Sequence, residues 1–200
     1  MSGFGTKDLL DCYRRGIFPM ADSRDDPQVF LLDPDERGII PLDGLHISRS
    51  LAKFMRKMPL TVTYDTCFSR IISMCAEAAP DRKSTWINEG IEYLYGELHQ
   101  IGHAHSVEVW EAGALVGGLY GVSIGGAFFG ESMFSRRTNA SKVALVKLVE
   151  RLNAGGYTLL DTQFLTAHLA RMGAVEIPRA DYHLLLEKAL EVDANFHPEA

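Results

Sequence analysis

The 200 residues are 46% hydrophobic and 23% charged, with 18 Gly and 8 Pro, which fits one folded domain of usual size plus a small annex and excludes disordered, collagen-like and coiled-coil chains. The most apolar stretch, 114–129, is broken by glycines and falls short of the roughly 20 residues that span a bilayer as helix. The first residues lack the order of a secretory signal, so a cytoplasmic chain without membrane contact is expected, and the net charge of −6 opposes general nucleic-acid affinity.

Residues 1–40 hold Pro19, Pro27 and Pro34 with little periodicity, so they predict an irregular module with a short helix at 7–15. Ser48 can cap a helix ending at Lys57, before Pro59. On it Arg49, Lys53 and Arg56 share a face, with Lys57 beside them, in a tract (44–60) that has no acidic residue. Residues 61–65 alternate as a strand, and Phe68, Ile71, Ile72 and Cys75 form a helical stripe. Asn88 can cap the next helix, which ends at Gly102. From Ala104 the period changes to two, with turns near Gly113 and at Gly125 and Gly126, which predicts a three-strand antiparallel meander. Asn139 is expected to cap a helix closed by Gly155 and Gly156, and 157–161 a strand. A short helix near Leu169 and an apolar segment at 182–190 complete the chain. The order is that of an α+β domain with a mainly antiparallel sheet, as in acyltransferases of the N-acetyltransferase type.

Cys12, Cys67 and Cys75 form no C-x-x-C pair and are odd in number, so they read as inert thiols rather than a disulfide framework. His99, His103 and His105 cluster without a carboxylate or Cys at ligand spacing, so no metal site is expected. Three stretches carry polar or aromatic groups of interest. Glu131 follows a glycine at the end of an apolar strand and is either a solvated strand-end carboxylate or a functional one. Asp161 and Gln163, two apart in LLDTQ, can share a strand face, so that the carboxylate accepts from the Gln amide and leaves its oxygen for an amine; an Asp helix cap is the alternative. Trp86 of STWI is a core plug or a platform for a base. No nucleophile elbow, Cys/His pair or Walker loop is present, and ESMFSRRTNASK has no glycine to cradle a pyrophosphate, so covalent catalysis and coenzyme A are disfavoured.

YRRGIFPM (13–20), RGIIPLD (37–43), TWI (85–87), the run 103–145 with HSVEVW, GGLYG, GESMFS and ASK, and LLDTQFLTAHLARMGA (159–174) resemble the bacterial leucyl/phenylalanyl-tRNA–protein transferase family. The resemblance implies transfer of Leu or Phe from aminoacyl-tRNA to the N-terminal α-amine of proteins starting with Arg or Lys, which marks them for N-degron degradation; an apolar pocket without a polar floor would accept Met as well. It also implies a small N-terminal domain (1–60) carrying the basic helix, an N-acetyltransferase-like catalytic domain (61–200), and no cofactor or metal; a monomer is the default expectation. Carried onto this sequence, Asp161 orients Gln163 toward the incoming amine, Glu131 holds the aminoacyl α-amino group, and Trp86 contacts the terminal adenosine. Leu119, Phe128, Met133, Leu145, Leu148 and Leu160 line the side-chain pocket, and Arg49, Lys53, Arg56 and Lys57 track the acceptor stem. Phe30-Leu31-Leu32 stands where many members have tryptophans, so no second aromatic platform is carried over. An acyltransferase of the same fold with another acyl donor, and a non-catalytic aminoacyl-tRNA-binding module, are the rival readings.

Overall fold

The computed structural model describes residues 4–26, 28–77 and 85–198; Pro27 and Ser84 of STWI lie outside them. Helix α1 (Thr6–Arg14) buries Leu9, Leu10, Cys12 and Tyr13, and strands β1 (Phe18–Met20) and β2 (Phe30–Leu32) form a two-stranded hairpin. Strand β3 (Glu36–Ile39) follows, then α2 (Arg49–Lys57), whose N-cap Ser48 accepts from the Leu51 amide as expected. Next come β4 (Leu60–Tyr64), α3 (Phe68–Ala76) and α4 (Glu89–Gln100), the last capped by Asn88 Oδ1, 2.9 Å from the Ile91 amide. The meander is β5 (Ala104–Glu111), β6 (Ala114–Ile124) and β7 (Ala127–Ser135).

Helix α5 (Ala140–Ala154) departs from expectation at its start. Asn139 is left-handed (φ 70°) and makes no side-chain cap; Ser135 Oγ instead accepts from the Ser141 amide at 3.2 Å. Strand β8 (Leu159–Gln163) begins two residues later than predicted, because Gly155, Gly156 and Tyr157 close the helix, and so it carries Gln163 within it. Helix α6 (Ala167–Ala170), strand β9 (Val175–Pro178) and helix α7 (Arg179–Leu190) complete the described elements.

The seven strands of the large sheet run β4-β5-β6-β7-β8-β3-β9, all neighbours antiparallel except β7 and β8. The architecture is the expected α+β one, a small N-terminal part and a sheet-rich C-terminal domain, but the N-terminal part gives β3 to the sheet between β8 and β9. Alternation along β6 and β7 sends Tyr120, Val122 and Phe129 into a core with α1, α3, α4 and α7, and Leu119 and Phe128 into a second core with α5. Both faces of the sheet are thereby covered. The parallel pairing of β7 with β8 ends at Phe129 and Asp161, and beyond it the two strands part.

Two bulges lie at that split. Tyr120 pairs with Ser132 and Gly121 with Gly130, leaving Glu131 as the extra residue; Gly38 pairs with Gln163 and Ile39 with Asp161, leaving Thr162. A bulge bends its strand and re-aims side chains, and here both do so into the same gap. The second depends on Gly38, where a Cβ would sit 2.7 Å from the Phe164 carbonyl carbon and 2.9 Å from the Leu165 nitrogen, both backbone atoms. Gly38→Ala is therefore expected to cost about 1–3 kcal/mol of stability, read as a lower urea midpoint at unchanged slope.

Candidate active site

The floor of the gap is a buried ion pair. Arg37 from β3 and Asp161 from β8 are 1% and 0% exposed, and the guanidinium donates from Nε to Oδ1 at 3.0 Å and from Nη2 to Oδ2 at 2.6 Å. Its Nη1 donates to the Gly16 carbonyl at 2.8 Å, and its plane lies 4.5 Å from the Phe18 ring and 4.4 Å from the Tyr182 ring. Tyr182 donates its hydroxyl to Asp161 Oδ2 at 2.7 Å. Bidentate pairing, ring stacking and these further hydrogen bonds supply what a desolvated pair requires.

Asp161 does reach Gln163, though not as the two-residue spacing suggests. Its Oδ1 accepts from the Gln163 backbone N–H at 2.7 Å, and Gln163 holds a left-handed φ of 58° that a side chain seldom adopts. The Gln163 amide nitrogen turns to Glu131 instead, donating to Oε1 at 3.2 Å across the split. Asp161 thus holds Gln163 by its backbone, and the Gln163 amide turns its nitrogen to Glu131.

Glu131 is far from a solvated strand-end group. Tyr13 meets its Oε1 at 2.7 Å and Tyr95 its Oε2 at 3.1 Å, while the two tyrosine hydroxyls also meet each other; the hydroxyls supply one proton each, and a proton on Glu131 supplies the third. Burial raises its pKa to about 8 despite the Tyr13 and Tyr95 hydrogen bonds and Arg37, all of which lower it; the Asp161 charge raises it further. The protonated form of Glu131 is thereby favoured to a higher pH than in an exposed carboxyl group.

These groups open into a cavity of about 630 Å³. Leu119, Met133, Leu145, Leu148 and Leu160 line it, as does Trp86, half-buried with its ring against the α1/α3/α4 core. Phe128 does not, which corrects the expectation from sequence. It is fully buried one layer behind, its ring parallel to Phe196 at 5.7 Å, because β7 turns it into the second core. Phe18, Pro19 and Met20 of the hairpin form another wall. Among the lining groups, Tyr120 Oη, Thr162 Oγ1 and His168 Nε2 are buried with no hydrogen-bond partner among the described residues. Unmet polar atoms around an apolar hollow are what a bound polar ligand satisfies. Burial, with Lys142 and Arg171 nearby, lowers the His168 pKa and so favours the neutral ring, which offers one donor and one acceptor.

Sequence reasoning missed Arg37, Tyr13, Tyr95 and Tyr182. Arg37 and Tyr13 did stand in the quoted RGIIPLD and YRRGIFPM stretches, but a lone Arg or Tyr gives no sign of burial. Away from the cavity, Arg49, Lys53, Arg56 and Lys57 are exposed on α2, and none is ion-paired among the described residues. A second basic tract, Arg136, Arg137, Lys142, Lys147 and Arg151 with Glu150 as its one acid, is largely engaged: Arg136 with Glu77, Arg137 with Glu111, Lys147 with Glu150, Arg151 3.7 Å from the Tyr64 ring, and Lys142 Nζ donating to Asn139 Oδ1 at 3.3 Å.

Known proteins resemble this chain over nearly its whole length. Residues 39–187 match the family described as leucyl/phenylalanyl-tRNA protein transferase, and residues 5–35 match its N-terminal domain. The protein of that name from Maricaulis maris (strain MCS10) is 60% identical over 196 residues, 98% of this chain and 91% of that one. Its counterpart from Phenylobacterium zucineum (strain HLK1) is 58% identical over 197 residues, 98% of this chain and 89% of that one. Among solved structures, FemX shares the fold, with a TM-score of 0.54 at 12% identity, covering 93% of this chain and 72% of that one. A match of this extent and identity means that the chain belongs to the leucyl/phenylalanyl-tRNA–protein transferase family.

Proposed function

We propose that the cavity is the site of aminoacyl transfer, taking Leu or Phe, and Met as a further apolar donor, from aminoacyl-tRNA to the N-terminal α-amine of a protein beginning with Arg or Lys, in the cytoplasm, for N-degron degradation. The part-buried Glu131 beside Gln163, above an apolar hollow, is the observation that carries this reading. The donor side chain fills the space between Leu119, Met133, Leu145, Leu148 and Leu160, and its α-ammonium replaces the proton on Glu131. Trp86 stacks on the terminal adenosine. The acceptor nitrogen attacks the ester carbon, forming the C–N bond as the C–O bond to ribose breaks. Gln163 Oε1 accepts a hydrogen bond from that amine, and the amine proton passes to the departing ribose oxygen. An ester is already activated, so orientation accounts for most of the task, and effective molarity of this kind contributes several kcal/mol. No group beyond these is required. The exposed, unpaired cations of α2 fit an acceptor stem better than the engaged second tract.

Peptide-bond formation between leucyl-tRNA and an Arg-initiated peptide tests the reading directly; binding of charged tRNA without product would leave the non-catalytic module. Asp161 and Gln163 should act as one unit in that assay. Alanine at either is expected to lower turnover strongly, and the double variant should lose little more than the worse single one.

Glu131 makes the chain pH-sensitive in a definite direction. Its folded pKa of about 8 lies above the unfolded value of 4.5, so the native state binds more protons between them and stability falls as pH rises through that window. Glu131→Gln should flatten the fall, read from unfolding midpoints between pH 5 and 9 on the order of that window. The same variant should raise the donor KM more than the peptide KM.

For α2, three or four phosphate contacts at roughly 0.7–0.9 each imply a slope of log affinity against log salt near about −2 to −4. Changing Arg49, Lys53 and Arg56 together to Glu should flatten that slope and raise the KM for charged tRNA, yet leave transfer from a minimal aminoacyl-adenosine nearly intact.

A further inference from the structure

A second constellation stands apart from the cavity and shares no residue with it. Asp65 follows β4 in a left-handed conformation (φ 57°), and its Oδ1 accepts from the Ser106 amide at 2.7 Å. Its Oδ2 accepts from two imidazoles at once, His105 Nδ1 at 2.7 Å and His197 Nε2 at 2.7 Å. The three ligand-capable atoms lie within 4.8 Å of one another, although their residues are far apart in sequence. Nothing in the transfer chemistry uses them.

We propose that Asp65, His105 and His197 form a binding site for a divalent transition-metal ion of the zinc class. Two imidazole nitrogens and one carboxylate oxygen are a borderline donor set that suits zinc and its neighbours better than calcium or magnesium. The site is also braced. The Ser106 amide fixes the carboxylate, and the His105 ring stacks on Phe196 at 4.1 Å with 14° between planes. Such outer contacts orient ligands in metal sites. His105 is buried while the His197 side chain is 54% exposed, so the ion has a path in and room for a water as fourth ligand. Both nitrogens now donate to Asp65, so to coordinate, a neutral ring moves its proton to the other nitrogen through solvent, and a charged ring releases one. His99 comes within 3.9 Å of Asp65 but its Nδ1 is engaged with the Ala104 carbonyl at 2.8 Å, and His103 Nδ1 with the Ser123 carbonyl at 2.9 Å, which leaves the set at three. A bound ion would fasten the segment after α7 to the start of β5. Phe196, 3% exposed, would be held against Phe128, behind the residues that line the cavity.

The test uses the full chain, free of any tag and treated with chelator, titrated with Zn2+ by calorimetry and with Co2+ by visible absorption. One equivalent should bind, with cobalt d–d bands and no sulfur-to-cobalt charge transfer, and Zn2+ should raise the Tm. His197→Ala and Asp65→Asn should each weaken binding by about tenfold or more and remove the Tm shift. Absence of saturable binding, equal affinity in both variants, or a thiolate signature from the cysteines would overturn the proposal. Should Asp65→Asn fail to fold, His197→Ala decides alone, since its side chain is exposed and leaves the core intact.

Discussion

The buried pair of Arg37 and Asp161 ties together parts of the chain that otherwise have little to do with each other. Arg37 comes from the short β3, which crosses from the N-terminal part into the large sheet, and Asp161 ends the pairing of β8 with β7. Around the pair gather Gly16 from the turn after α1, Phe18 from the hairpin and Tyr182 from α7. Removing either charge would strand the other in the interior at a cost of about 3–5 kcal/mol, so the position of β3, the hairpin wall and α7 are bound to one interaction. The backbone of Gln163 hangs from the same carboxylate. Assembly of the site and docking of the N-terminal part are therefore one event.

The two bulges convert that anchoring into a reactive geometry. Continued past Phe129 and Asp161, the register would set Glu131 directly opposite Gln163 on one face; the strands part there instead, and the Gln163 amide crosses the gap to Glu131. Each bulge inserts one residue, bends its strand and opens the sheet where the parallel pairing stops. Glu131 then meets Tyr13, Tyr95 and Gln163 in a place with little water, and the loss of hydration lifts its pKa to about 8. Ionising it there leaves a poorly hydrated charge, and that cost is what raises the pKa.

Charge on the exterior follows a different logic. A protein at −6 attracts a polyanion only locally, and the two basic tracts are equal candidates by composition. Folding separates them. The tract after β7 engages Arg136, Arg137 and Lys147 with Glu77, Glu111 and Glu150, sets Arg151 over the Tyr64 ring and turns Lys142 to Asn139, while α2 keeps Arg49, Lys53, Arg56 and Lys57 toward solvent and buries Leu51 beneath them.

The amino-acid sequence by itself determined the elements whose signals are local. Ser48 and Asn88 cap as read, the period-two run from Ala104 forms the meander, and the α+β order follows, because caps and alternation act over a few residues. Glu131, Asp161, Gln163 and Trp86 were legible as polar or aromatic groups at strand ends and in a loop, and the family motifs add the apolar pocket. Only the tertiary structure decided the rest. It placed β3 in the large sheet, put Phe128 behind the cavity rather than on its wall, started α5 from Ser135 instead of Asn139, and routed the Asp161 contact through the Gln163 backbone. It also brought Arg37 to Asp161 and His197 to Asp65, over separations of 124 and 132 residues. Pairings of that range leave no periodicity to read. They exist because burial makes an unpartnered charge or polar group costly, and the folded chain alone determines which partner lies within reach.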